Sequence, residues 1–179
     1  MSRSLWVTVT IEQGNSSGEN LVLFIYRHKF SQWFLFRIRL VSKKIYALSI
    51  RQPWATLILA GIKTIEIRSW ATQIREKIAI HASSIIDDHP PAWKLVPTDY
   101  QQLAQLRGGL IGVAELVQCR LYRILTEFSE DKARHWNEIE WFSPPRFGFV
   151  LERPRVVSFR KMKGNARFFF VSDPEDGQI

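Results

Sequence analysis

The sequence predicts an α+β domain whose mixed or antiparallel sheet curls into a barrel, with two or three short flanking helices and a β-prone extension in front. Three observations carry this. Short runs alternating at period two recur along the chain, helical composition is confined to brief segments between them, and Tyr46–Trp70 packs strand, helix, glycine stop and strand into twenty-five residues. Many short strands with few helices point to an α+β sheet that closes on itself.

Residues 1–44 stand apart. Leu5–Ile11 alternates apolar residues with Thr, Gln13–Gly18 is turn-forming and Leu21–Tyr26 is β-prone again, which reads as a hairpin. Trp33–Leu40 fits either a strand or a short buried segment. Seven Lys/Arg against two Asp/Glu place about +5 of the formal +8 in this segment, leaving 18 cations against 15 acids beyond it. It fits an extra β layer, a poorly ordered basic arm, or residues ahead of the biological start. Phe and Trp beside Arg call for burial or a partner.

The main domain spans about 45–171. Tyr46–Ile50 reads as a strand, and Pro53 fits the first position of a helix, where its missing N–H costs nothing. Trp54, Leu57, Ile58 and Ile62 fall near one face, and Gly61 suits the left-handed residue that ends the helix. Lys63–Trp70 then alternates: Ile65 and Ile67 point one way, Thr64, Glu66, Arg68 and Trp70 the other. Lys77–Ser83 is a strand with Ile78 and Ile80 inward. After an Asp87–Pro91 loop or helix entry, Thr98–Arg107 has helical composition and Gly108-Gly109 stops it. Leu110–Val117 is a nearly continuous apolar strand carrying Glu115. Ser129–Glu138 reads as a polar surface helix capped by Ser129, with His135 near its end. Phe147–Glu152 is a strand. Val156–Arg160 and Arg167–Val171 suggest a final pair joined at Lys163-Gly164-Asn165, before a polar tail over 172–179.

Composition bounds the function. At 179 residues, 46% hydrophobic and 23% charged, the chain suits one globular domain with an appendage. A pI near 9.9 favours a polyanionic partner. One cysteine, Cys119, excludes an intrachain disulfide and a cysteine-cluster zinc site, and the four histidines lack ligand spacing, so no metal or cofactor is expected. No apolar run reaches the roughly eighteen residues of a membrane span, so the expected setting is the cytoplasm.

Polar residues gather where a core has no use for them. Lys63, just past Gly61, can reach a phosphate or base oxygen or be an ordinary surface lysine. Glu66 and Arg68 share one strand face. Glu66 can accept from a base edge while Arg68 pairs with phosphate, or the two can brace the barrel mouth as an ion pair. Trp70 is the better stacking candidate and Trp54 the better core residue. Arg51 and Gln52, at a strand end and helix entry, can line the same cleft. His81 fits a general base or a satisfied structural histidine, and Glu115 a catalytic acid or the partner of a cation. Arg160, Lys161, Lys163 and Arg167 flank a turn and read as a solvated basic loop that can also extend a backbone-tracking surface.

Ala47–Ala55, Gly61–Trp70 and Ile80–Ser83, with Gly109–Leu116 and Gly148–Arg155 further on, closely resemble the ASCH domain. The resemblance covers about 45–171. It implies a PUA-like mixed β-barrel with flanking short helices, a cleft lined by Gly61, Lys63, Glu66 and Arg68 in a Gly-x-Lys-x-x-Glu-x-Arg motif, and RNA or a nucleotide-like ligand. A hydrolytic branch of this superfamily carries Lys, a Thr three residues later and a downstream Glu. Here Lys63 and Glu115 match, but Glu66 replaces the Thr, and Ile67 stands where the family pattern has Asn. The expectation is therefore RNA binding or nucleotide recognition through Arg51, Gln52, Lys63, Thr64, Glu66, Arg68 and Trp70. The alternatives are a hydrolase of RNA or a modified nucleoside built on Lys63, Glu115 and His81, or a protein-interaction adaptor using the aromatic N-terminus.

Overall fold

The computed structural model describes residues 43–176 in full and, before them, the backbone of three strands. The chain divides into two compact units, Met1–Lys44 with Glu175–Ile179, and Ile45–Pro174.

In the first unit β1 (Val7–Glu12), β2 (Asn20–Arg27) and β3 (Trp33–Leu40) form an antiparallel meander, with Val7 opposite Tyr26 and Asn20 opposite Leu40. The segment that periodicity left between strand and buried stretch is thus a strand. The turn expected at Gln13–Gly18 lies outside the described residues.

The second unit holds β4 (Lys44–Ile50), β5 (Ile65–Arg68), β6 (Lys77–Ala82), β7 (Gly109–Tyr122), β8 (Arg146–Lys161) and β9 (Phe169–Ser172), ordered β5-β8-β7-β6-β4-β9. β4 and β6 are parallel, with Tyr46 opposite Ile78, while β6–β7, β7–β8 and β5–β8 are antiparallel. The sheet is mixed because α1 (Trp54–Leu59) and β5 carry the chain away between β4 and β6. All six α1 residues are buried, and the helix lies so close to β7 that a methyl on Gly112 would meet Leu59 Cδ2 at 2.3 Å. Gly61 follows at φ 73°, the left-handed residue the sequence called for.

The expected closed barrel is not formed by hydrogen bonds: the strand order ends at β5 and β9. Both end strands have four residues, and rings rather than a ladder lie between them. Trp70, just after β5, packs edge-on against Phe168, just before β9, at 5.4 Å and against Phe149 of β8 at 5.0 Å.

Three expectations give way to longer-range packing. Ser129–Glu138 is not one helix: α4 (Leu125–Glu130) and α5 (Lys132–His135) meet at Asp131. Ser129 Oγ donates back to the Leu125 carbonyl rather than capping a helix start. Phe128, Asp131 and His135 are buried, because Tyr122 donates to Asp131 at 2.6 Å and Phe128 stacks on His135 at 4.1 Å. The expected final strand pair is also absent. Val156–Arg160 belongs to the sixteen-residue β8, which continues from Phe147 through Arg153 at φ 48°, and β9 lies beside β4. Finally, the polar tail does not begin at 172: Asp173 is buried and pairs with Lys77 at 2.5 Å.

Between β6 and β7, α2 (Pro90–Lys94) and α3 (Gln101–Gln105) cover the core. No helix among the described residues is long and apolar enough to cross a membrane.

Candidate functional site

The ends of β4 and β6, the start of α1, β5 and the segment after β8 converge on a cleft of about 1000 Å³. Its wall is built around Lys63. The aliphatic stem follows the helix stop at Gly61 inward, so this residue is 2% exposed rather than standing at the cleft mouth. Its Nζ donates to the His135 carbonyl at 2.5 Å and to Asn137 Oδ1 at 3.4 Å, and lies 3.5 Å from Glu66 Oε2. Trp54 covers it with its ring centroid at 5.1 Å. Burial pushes the ammonium below its ordinary 10.5, while Glu66 pulls the other way.

Glu66 is held from both sides. Arg68 Nη2 lies 3.2 Å from Glu66 Oε1 and also donates to the Ser49 carbonyl at 2.6 Å. The motif residues therefore form a chain, Lys63–Glu66–Arg68–Ser49, tying β5 to the end of β4.

A second chain fixes the opposite wall. His81 Nε2 faces the Met162 carbonyl at 3.1 Å and Nδ1 faces Ser49 Oγ at 3.2 Å. A carbonyl only accepts, so the proton sits on Nε2 and Nδ1 accepts from the Ser49 hydroxyl. Ser49 Oγ in turn accepts from the Asn165 N–H at 3.2 Å. Gly164 closes over the pair: a Cβ there would meet His81 Cε1 and Ser49 Oγ at 2.5 Å each. His81 thus acts as a latch that seats the Lys161–Asn165 segment on the cleft.

The rim is cationic. Arg51 and Lys163 are exposed and make no hydrogen bond or ion pair among the described residues, while Lys161 donates to the Arg107 carbonyl at 3.2 Å. Trp141, 42% exposed, supplies an open aromatic face and is propped by His89 at 4.9 Å, which stacks in turn toward Trp54.

Of the expected site residues, Arg51, Lys63, Glu66, Arg68 and His81 come together here and four do not. Gln52 is fully buried: its Nε2 donates to the Leu103 and Leu106 carbonyls at 3.0 and 3.1 Å, and its Oε1 accepts from Thr56 N and Oγ1. With every polar atom engaged, it joins α1 to α3 and offers nothing to a ligand. Thr64 faces a separate depression beside Arg153, its backbone pairing with Arg134 and Leu151. Trp70 is turned into the ring cluster by Phe149 and Phe168, with Arg167 over its face at 5.5 Å, and does not line the cleft. Glu115 is also elsewhere: Arg153 Nε donates to it at 2.8 Å, Nη2 binds its other oxygen, and this pairing holds the carboxyl below its usual range. Conversely, Asn137 and Trp141 line the cleft without having been anticipated. The signal for Trp141 is an aromatic pair with Phe142, between two acids and Pro144-Pro145.

No group of His, Cys, Asp and Glu among the described residues is arranged to hold a metal ion.

The ASCH domain model matches residues 48–153. The chain belongs to the ASCH domain family. This ASCH domain is 29% identical over 139 residues to activating signal cointegrator 1 of Homo sapiens, and equally to that of Mus musculus, with 69% of the chain covered in each case. It spans only 22% of the length of these relatives. In three dimensions it resembles an ASCH crystal structure from Zymomonas mobilis with a TM-score of 0.53 at 13% identity, covering 70% of this chain and 86% of that one. A single-substitution variant of the same Zymomonas protein gives 0.52 at 14% identity, covering 73% and 91%. The likeness supports the α+β fold.

Proposed function

We propose that this ASCH domain is a nucleotide-recognition module that receives RNA in the Lys63–Glu66–Arg68 cleft. The observation that carries the reading is the cleft's division of labour: Arg51 and Lys163 have no partner among the described residues and stand at the rim, the inner wall is a pre-organised polar chain, and Trp141 presents an exposed ring. Rim cations suit phosphates, which position a strand. Wall acceptors and a ring suit a base, which is read by hydrogen bonds and stacking. The bent sheet with its ring-filled seam serves in this reading as the PUA-like barrel that holds these groups rigid.

Recognition fits better than hydrolysis. The hydrolytic alternative needs Lys63 and Glu115 at one centre, and Glu115 is bound by Arg153 outside the cleft. Lys63 is engaged by a carbonyl, an amide oxygen and a carboxylate, which makes it a support for Glu66.

The test is the affinity of a short single-stranded RNA at several salt concentrations. Each phosphate held by a rim cation contributes about 0.7 to the slope of log affinity against log salt. Arg51→Ala and Lys163→Ala each reduce the slope by about that amount without changing the melting profile. Salt-independent binding, or rim variants that bind like the parent, would overturn the reading.

A further inference from the structure

The wall acceptor has a geometry that discriminates among bases, which deepens the reading just given and rests on it. Glu66 is 12% exposed, lines the cleft, and has each oxygen on a different cation, Lys63 at 3.5 Å and Arg68 at 3.2 Å. A carboxylate has about four lone-pair sites and no donor. With its orientation fixed from both sides, the remaining sites form a two-oxygen acceptor that neither rotates nor donates.

We propose that Glu66 makes the cleft selective for guanine, by accepting the N1–H and N2–H of a guanine base as a bidentate pair. Guanine is the common RNA base that presents two donors side by side on its Watson–Crick edge. Adenine and cytosine each present one amino group beside a ring-nitrogen acceptor, which a carboxylate oxygen opposes. Uracil presents a single N–H between two carbonyls, and both face the acceptor unfavourably.

The neighbouring side chain adds a complementary requirement. Arg68 Nε is the one buried side-chain polar atom left without a hydrogen-bond partner among the described residues. That atom is closed to solvent, so guanine O6, adjacent to N1–H, meets it only when the Arg68 guanidinium turns toward the cleft as the base binds. A site built to satisfy donors in this way discriminates strongly, because the wrong base leaves its polar groups unpaired. Trp141 offers the ring face against which such a base can stack, and the rim cations take its phosphates.

The experiment compares short oligouridines carrying one central guanosine, adenosine, cytidine or inosine, together with the all-uridine strand, against the full chain. Guanosine is expected to bind about ten-fold or more tightly than adenosine, cytidine or uridine. Inosine, which lacks only the N2 amino group, loses most of that advantage. The inosine comparison leaves the protein untouched, so it stands even if a Glu66 variant fails to fold. Glu66→Gln, which turns one acceptor oxygen into a donor, flattens the preference where it folds.

Equal affinity for all strands, or inosine equal to guanosine, overturns the guanine assignment and leaves general nucleotide recognition in place. Failure of every strand to bind at low salt overturns the recognition reading, and the assignment falls with it.

Discussion

Replacing Lys63 with Met keeps the stem and removes the ammonium, and the structure fixes what that costs. The lysine is 2% exposed and donates a charge-assisted bond to the His135 carbonyl, a bond type that contributes about 1.5–3 kcal/mol. Its ion pair with Glu66 is also lost, and deleting one partner of a buried pair typically costs about 3–5 kcal/mol. Arg68 continues to hold Glu66, and Met relieves the desolvation that burial imposes on the ammonium. The expected net loss is about 2–4 kcal/mol, against about 0.5 kcal/mol or less for an exposed lysine. Urea unfolding followed by far-ultraviolet circular dichroism measures it. A loss below about 0.5 kcal/mol would refute the placement of Lys63 as a buried brace.

The same pair of proteins carries a pH signature. Burial lowers the folded-state pKa of Lys63 below 10.5, so between that lowered value and 10.5 the unfolded chain binds more protons than the folded one. Stability contributed by this group therefore rises with pH across that window and falls as pH drops through the lowered value. The stability gap between the parent and Lys63→Met widens as pH rises toward 10.5. A gap that narrows on the alkaline side would contradict the assignment.

Two further substitutions separate support from recognition. Gln52→Ala removes four hydrogen bonds, leaving the Leu103 carbonyl with the Leu106 N–H alone and the Leu106 carbonyl without its side-chain donor. At about 1 kcal/mol per bond the loss is about 4 kcal/mol, read as a lower urea midpoint, whereas a ligand-contacting Gln52 would change binding alone. Gly164→Ala places a methyl 2.5 Å from His81 Cε1 and Ser49 Oγ. Lifting the Lys161–Asn165 segment gives up the His81–Met162 and Ser49–Asn165 bonds, at about 1 kcal/mol each, and should weaken RNA binding several-fold. Unaltered affinity would show that the segment's seating is irrelevant to the ligand.

How much of this was legible in the sequence follows from the range of the forces involved. The alternation through Glu66 and Arg68 and the glycine stop at Gly61 are local, and they placed the strand, the helix end and the Glu66–Arg68 pair correctly. Lys63 was read at the cleft mouth because sequence shows the residue but not the His135 carbonyl and Asn137 amide that draw it inward from more than seventy residues away. Gln52 and Trp70 fit a cleft equally well by pattern. Only the approach of α3 and of Phe168 assigns them to the core. The 129–138 stretch reads as one polar surface helix, yet Asp131 is claimed by Tyr122 and Arg120 and interrupts it. Trp141 enters the site through a connection, and no local period predicts where such a residue lands.

The front segment supplies most of the net charge, so where the ligand binds is the central question. The measurement that answers it is a backbone amide NMR titration of the full chain with a short single-stranded RNA. The account predicts shift changes gathered on Ser49–Arg51, Glu66–Arg68, Trp141 and Lys161–Asn165. Changes confined to residues 1–44, with the cleft amides unmoved, would contradict it.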